Sequence, residues 1–356
     1  MSIRSFIPYG EAFLQESDNR EAIDFSKLCK YNIKPLDDAL RAISPKDLIV
    51  LTAGSGYGKT ELALHISRTN ASQGKKVAHF NLEGGWEEAV QRLKWRDMCD
   101  LYYRQYHTSG SYIELDYQKW VLRETKNPLL AEIEGEVYKN LLTTLGDNLF
   151  LYDNPEGLDC DKFCKSLVTL EGLKCDLGLH ASIRKHVKGI ENIDLIVVDH
   201  LHYFSLDREE REIEEITKIL KMARKITQEI GIPIILVAHL RKLPRGHGVP
   251  DKEDIYGTSN IHKIANTCII LAPDHDKDDQ ANGLYPTYIR IAKSRQGLRP
   301  NILMHATFDI QERKYREDYE LYKCFPDGSI DKEPIPYYQL PTWAKGRIPA
   351  VRKEEI

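Results

Sequence analysis

The sequence predicts an α/β fold: a mostly parallel central sheet flanked by helices, built around a phosphate-binding loop and carrying a helical insertion. Three observations predict it. Short apolar runs alternate with amphipathic segments from about residue 47 to 310, the pattern of strands joined by helices. Two runs, "IDLIVVDH" and "IPIILVAHL", are continuously apolar, as strands buried on both faces are. The stretch "AGSGYGKT", residues 53 to 60, follows "DLIVLT" and opens an amphipathic segment, the strand-loop-helix setting of a phosphate cradle.

The elements follow in order. "DLIVLTA" reads as a strand and Lys59 to about Ser72 as a helix. "KKVAHFNLE" is the next strand, and "WEEAVQRLKWRDMCDLYY" is a helix with apolar positions three and four apart. Residues 106 to 146 interrupt the alternation with polar, tyrosine-rich sequence, read as a helical insertion on the same domain. "DNLFLYDNP" is a strand closed by Asn154-Pro155, and a charged helix runs from about Arg208 to Ile230, ending at Gly231. "TCIILA", "PTYIRIAKS" and "NILMHATFD" read as later strands, the last of them antiparallel. The expected organisation is a lead-in over 1–32, one domain over 33–317, and a proline-rich tail over 318–356.

Composition bounds the function. Apolar content of 42% and charged content of 29% suit a globular chain with a sizeable core, and a net charge of −4 argues against a uniformly basic coat. A local basic groove stays open, since a field depends on where charges sit. The N-terminal residues lack the apolar run of a signal peptide and no stretch approaches eighteen apolar residues, so the reading is cytoplasmic. Seven scattered cysteines suit reduced thiols. A zinc site from Cys160, Cys164, Cys175 and His180 is the weaker reading, because Cys160 and Cys164 lie four apart in an apparent helix, where plain packing is common.

The loop departs from G-x-x-x-x-G-K-[ST] at its first position, which is Ala53. The rest meets the chemical need. Gly54, Ser55, Gly56, Tyr57 and Gly58 let backbone N–H groups turn toward phosphates, Lys59 supplies charge for the β- and γ-phosphates, and Thr60 a hydroxyl for magnesium. Asp199 closes "LIVVD", where a carboxylate can hold the magnesium shell, and Glu83 closes "AHFNLE", where one can orient or deprotonate an attacking water. Either could instead cap a helix or pair at the surface. Their position beyond the carboxyl ends of parallel strands favours the ligand-binding reading. His200 and His202 flank Asp199 as supporting or structural side chains.

With these pieces in order, the chain resembles the RecA-like motor domain of hexameric replicative DNA helicases, the DnaB-like and phage primase-helicase family. The resemblance runs from about residue 33 to 316 through "IKPLDDALRAISPKDLIVLTAGSGYGKT", "FNLEGG", "LIVVDHLHYF", "ILVAHLRK", "YGTSNIHKIANTCIIL" and "IAKSRQG". Relatives often carry alanine at the loop's first position. The resemblance implies that His239 senses the γ-phosphate and that Lys293 and Arg295 reach a neighbouring subunit's nucleotide. Lys293 and Arg295 stand two apart on a strand and so share a face, although a solvated basic edge would look the same. The basic loop with Arg241, Lys242 and Arg245 reads as a DNA contact or a solvated surface, and the DNA-facing loop of the family falls on Gly257 and Thr258. Tyr256 stands where many relatives have arginine, and His202 where many have glutamine.

The implied function is an ATP-driven, magnesium-dependent motor. It would translocate on single-stranded DNA as a ring-shaped homo-oligomer, a hexamer by family, with a primase or other replication protein as partner. The rivals are a recombinase and a nucleotide-switched loading ATPase that unwinds nothing.

Overall fold

In the computed structural model, the described residues are 7–54, 56–107, 113–152, 193–201, parts of 216–228, 231–241, 248–256, 260–274, 283–295, 301–310 and 312–345. Among them the strands are β1 (Leu48–Ala53), β2 (Val77–Asn81), β3 (Leu149–Leu151), β4 (Leu195–Asp199), β5 (Ile234–His239), β6 (Thr267–Pro273), β7 (Leu284–Ser294), β8 (Ile302–Asp309) and β9 (Lys314–Lys323). They form one sheet in the order β3-β2-β4-β5-β1-β6-β7-β8-β9. The pairs from β3 to β6 are parallel, and those from β6 to β9 antiparallel.

Alternation along β1 fills both faces. Ile49, Leu51 and Ala53 enter one core with Leu62 and Ile66 of the following helix. Leu48 and Val50 enter the other with Ile216, Ile219, Leu220 and Ala223. These last residues belong to the expected charged helix, which is helical where described between 216 and 228; Gly231 holds φ 76°.

Helix α1 (Tyr9–Glu21) buries no residue, α2 is Lys34–Leu40, and α3, Lys59–Ser72, follows the phosphate loop. Helix α4 (Gly85–Leu101) leads into the insertion, where α5 (Tyr117–Val121) and α6 (Pro128–Leu145) are indeed helical. The Asn127 side chain accepts from the Leu129 N–H at 2.9 Å and starts α6, with Pro128 in its first turn. Leu130, Ile133 and Val137 then fall on one face against Trp95, Met98 and Trp120, a separate small core. Helix α7 is Asn260–Ile264.

Both ends of the domain differ from the expected boundaries. Cys29 and Tyr31 are buried in the main core, and the Tyr31 N–H donates to Asp37 at 2.9 Å, so the packed unit reaches back before residue 33. Strand β9 crosses the 317/318 boundary, and Ile335, Leu340 and Ala344 join the same core. The Ile335 N–H donates to the Leu321 carbonyl at 2.6 Å. Proline-rich composition hid this segment because its apolar residues follow no helix or strand period.

His79 in β2 is fully buried, with Nδ1 2.8 Å from the Ser67 hydroxyl, and burial drives its pKa down from 6.5 to about 4. The unfolded chain therefore takes up this proton first as pH falls. Its contribution to stability is whole above about pH 6.5 and lost on the way to pH 4. At about 1.4 kcal/mol per pH unit, the loss over that window is on the order of 3 kcal/mol. Urea midpoints of the wild type and His79→Gln should converge as pH drops from 7 to 4; parallel curves would remove His79 from the account.

Candidate active site

The parallel strands deliver their carboxyl ends to one edge of the sheet. Register places Ala53 beside His239 and Leu271, and Asn81 beside Asp199. Because β5 lies between β1 and β4, His239 stands between the phosphate loop and Asp199.

Ala53 is the last residue of β1 and is wholly buried. Extended backbone demands no glycine there, so the methyl group simply joins the core. Freedom is needed later. Gly56 and Gly58 hold φ of 82° and 74°, and a Cβ on Gly54 would lie 2.6 Å from the Tyr57 ring. Gly58 then starts α3, with Lys59, 7% exposed, as its first residue. This is a helix N-terminus with a cation, the arrangement that holds phosphate.

Asp199 is 0% exposed, and neither carboxylate oxygen accepts a well-formed hydrogen bond. Burial raises its pKa to about 6, while the nearby Thr60 hydroxyl and Lys59 ammonium pull it down. An orphaned buried carboxylate beside a hydroxyl fits a divalent cation whose other ligands are phosphate and water. Glu83, just past β2, is half-exposed and lies 3.1 Å from His200 Nε2. His239 has its pKa lowered, first by burial and then by Lys59.

A cleft of 540 Å³ opens over the loop, within the range of small-molecule sites. Lys59, Thr60 and Glu83 line one end, and Tyr285, Pro286, Phe308 and Tyr315 line an apolar wall. The sequence reading missed that wall. It also missed a charge cluster among the cleft's lining residues. The Glu61 carboxylate accepts from both Arg92 and Arg313, Arg92 also donates to Glu88 at 2.7 Å, and the Arg313 guanidinium stacks 4.2 Å from the Tyr117 ring centroid. The acidic residue after the loop's threonine is the one local signal; nothing in spacing points residue 313 at residue 61.

Lys293 and Arg295 part company. The Lys293 ammonium donates to the carbonyls of His262, Lys263 (3.2 Å) and Ala265 (2.6 Å). It thus caps the orphan carbonyls that end α7 instead of reaching out beside Arg295. Arg295 is exposed just past β7. Since Ser294 pairs with Thr267, and Thr267 with Ile49, Arg295 sits at the sheet edge where β1 begins. Six strand residues, about 20 Å, separate that edge from the chain's own phosphate loop.

Arg241 is exposed, and its N–H donates to the Asp254 carbonyl at 2.8 Å. Ser55, Lys242, Arg245, Gly257 and Thr258 lie outside the described residues, as do His202, Cys160, Cys164, Cys175 and His180. Among the described residues no group of three or more His, Cys, Asp or Glu is placed to hold a metal, and no helix is long and apolar enough to cross a membrane.

Fold and site together define a RecA-like domain of the phosphate-loop class. The DnaB-like helicase C terminal domain family matches residues 29–109 and 172–316, and the chain belongs to that family. Among its relatives, the replicative DNA helicase DnaB of Haemophilus influenzae is 22% identical over 298 residues, covering 80% of this chain and 56% of that protein. The replicative DNA helicase DnaC of Bacillus subtilis is 25% identical over 270 residues, 74% of this chain and 51% of that one. The chain thus spans about half the length of the curated relatives it matches. Two solved structures share the fold over 87% of this chain. One, an isolated ATPase domain, has a TM-score of 0.65 at 15% identity, with 99% of it covered. The other, a DnaB-like replicative helicase described with its interactions with primase, has 0.63 at 14%, with 67% covered.

Proposed function

We propose that this chain is the motor of an ATP-dependent DNA helicase, a ring-shaped homo-oligomer acting in the cytoplasm on single-stranded DNA. The observation that carries the reading is the convergence at one sheet edge of a phosphate loop, an orphaned buried carboxylate and a second, half-exposed carboxylate. Lys59 binds the β- and γ-phosphates of ATP, with the loop N–H groups around them. Thr60 and Asp199 would hold a magnesium ion, which when bound offsets charge on the phosphates. Glu83 orients the attacking water and takes its proton, and His239 stands by the γ-phosphate. The apolar wall of Phe308 and Tyr315 suits a nucleobase. Arg295 lies remote from its own loop, and that remoteness supports a role at a neighbour's nucleotide, with hydrolysis at subunit interfaces. A primase, with which one solved DnaB-like replicative helicase interacts, fits the same reading as a partner.

Strand displacement on a forked DNA substrate tests it: unwinding requires ATP and is lost when ATP is withheld. Nucleotide hydrolysis with no displaced strand would instead indicate a loading ATPase, and strand exchange a recombinase.

The basic loop gives a narrower prediction. Alanine at Arg241, Lys242 and Arg245 weakens single-stranded DNA binding and flattens its salt dependence, each lost phosphate contact lowering the log–log slope by roughly 0.7. ATPase without DNA persists. Unchanged affinity across salt would assign the loop to solvated surface.

A further inference from the structure

Glu83 has a task that its own backbone does not secure. Its side chain is 50% exposed, and Gly84 and Gly85 follow it, the latter at φ 72°. A long carboxylate side chain half in water keeps several rotamers open, whereas a base must be aimed to within an ångström or so. Something rigid has to hold it.

His200 is that group. It follows Asp199 directly, is 3% exposed, and brings Nε2 to 3.1 Å from Glu83 Oε2. The same nitrogen lies 3.0 Å from His239 Nε2, with the two rings edge to face at 75°. A neutral ring nitrogen carries either one hydrogen or one lone pair. With hydrogen on Nε2, His200 donates to the Glu83 carboxylate. With the lone pair there, it accepts from His239, and Glu83 faces a lone pair. The nitrogen that aims the base is therefore shared with the ring beside the phosphates.

We infer that His200 is a positioning residue for hydrolysis: its Nε2–H holds the Glu83 carboxylate toward the attacking water, and its contact with His239 ties that aim to the phosphate site. The inference rests on the ATPase reading above.

Steady-state ATPase, binding of a slowly hydrolysed ATP analogue, and binding of ADP with aluminium fluoride test it in three proteins: wild type, His200→Gln and His200→Phe. Glutamine keeps an N–H that can reach Glu83, and phenylalanine keeps the ring without a donor. His200→Phe lowers kcat about 10²-fold, the scale of a misplaced catalytic group. It weakens the aluminium fluoride complex, which resembles the transition state, and leaves analogue affinity within about twofold. His200→Gln recovers most of both losses. In a Glu83→Gln background, His200→Phe adds no further loss, because a residue acting through Glu83 has nothing left to aim. If phenylalanine prevents folding, His200→Asn, whose amide stops short of Glu83, takes its place with the same expectation. Equal activity of the donor and non-donor variants overturns the inference, as does a further loss in the Glu83→Gln background. An inactive wild type, or one whose turnover survives Lys59→Ala, would instead overturn the ATPase reading.

Discussion

Lys59→Ala folds and loses ATP turnover. Lys59 begins α3 at the mouth of the cleft, so truncation removes a charge without touching the core of that helix, which Leu62, Ala63 and Ile66 supply. The ammonium also helps hold Asp199 ionised, acting against the burial that lifts its pKa to about 6. Without Lys59 that carboxyl titrates higher, and near neutral pH less of it is charged to receive a cation. Both losses act on one step, so the rate falls by on the order of 10³-fold or more, at or beyond the scale of removing a single preorganised donor. Circular dichroism would confirm the fold, and turnover near the wild-type rate in a folded variant would sink the nucleotide-site reading.

Arg295→Ala gives the second large effect. Its subunits bind ATP at their own phosphate loop and hydrolyse it poorly, by about 10³ to 10⁵ if Arg295 acts as the finger of a phosphoryl-transfer site. Sheet register makes action within the same subunit untenable, since Arg295 stands at the opposite edge from the loop. Mixing separates the alternatives. A Lys59→Ala subunit has a dead loop and an intact finger, and Arg295→Ala the reverse. In a mixed ring some interfaces join an intact loop to an intact finger, and part of the activity returns. Labelled subunits should first show that exchange occurs. A fully exchanged mixture with no recovered hydrolysis would count against the shared site and the ring together. Lys293→Ala carries a different expectation: with its ammonium on the carbonyls that end α7, its loss frays that helix end before it touches chemistry.

Much of this was legible along the chain. The alternation of runs predicted the parallel sheet and its antiparallel continuation. "AGSGYGKT" marked the loop because phosphate binding by backbone N–H groups demands small residues in sequence, and Gly56 and Gly58 do hold positive φ. The positions of Asp199 at the end of β4 and Glu83 just past β2 were legible from the apolar runs that precede them. The tail was not. Ile335 and Leu340 lack period, and their burial depends on the edge strand they meet.

The sequence by itself determined the local devices: which runs up to β8 are strands, where the loop turns, and which carboxylates stand at the end of β4 and just past β2. Each is dictated by neighbours within a few residues, through side-chain periodicity and backbone freedom. Tertiary structure alone decided what meets across the chain. Glu61 and Arg313 are 252 residues apart, and His200 reaches His239 over 39. Lys293 is spent on a helix end while Arg295, two residues on, faces outward from the far edge. Register sets these pairings, and register is fixed by how whole strands bury both faces at once, which no local stretch encodes.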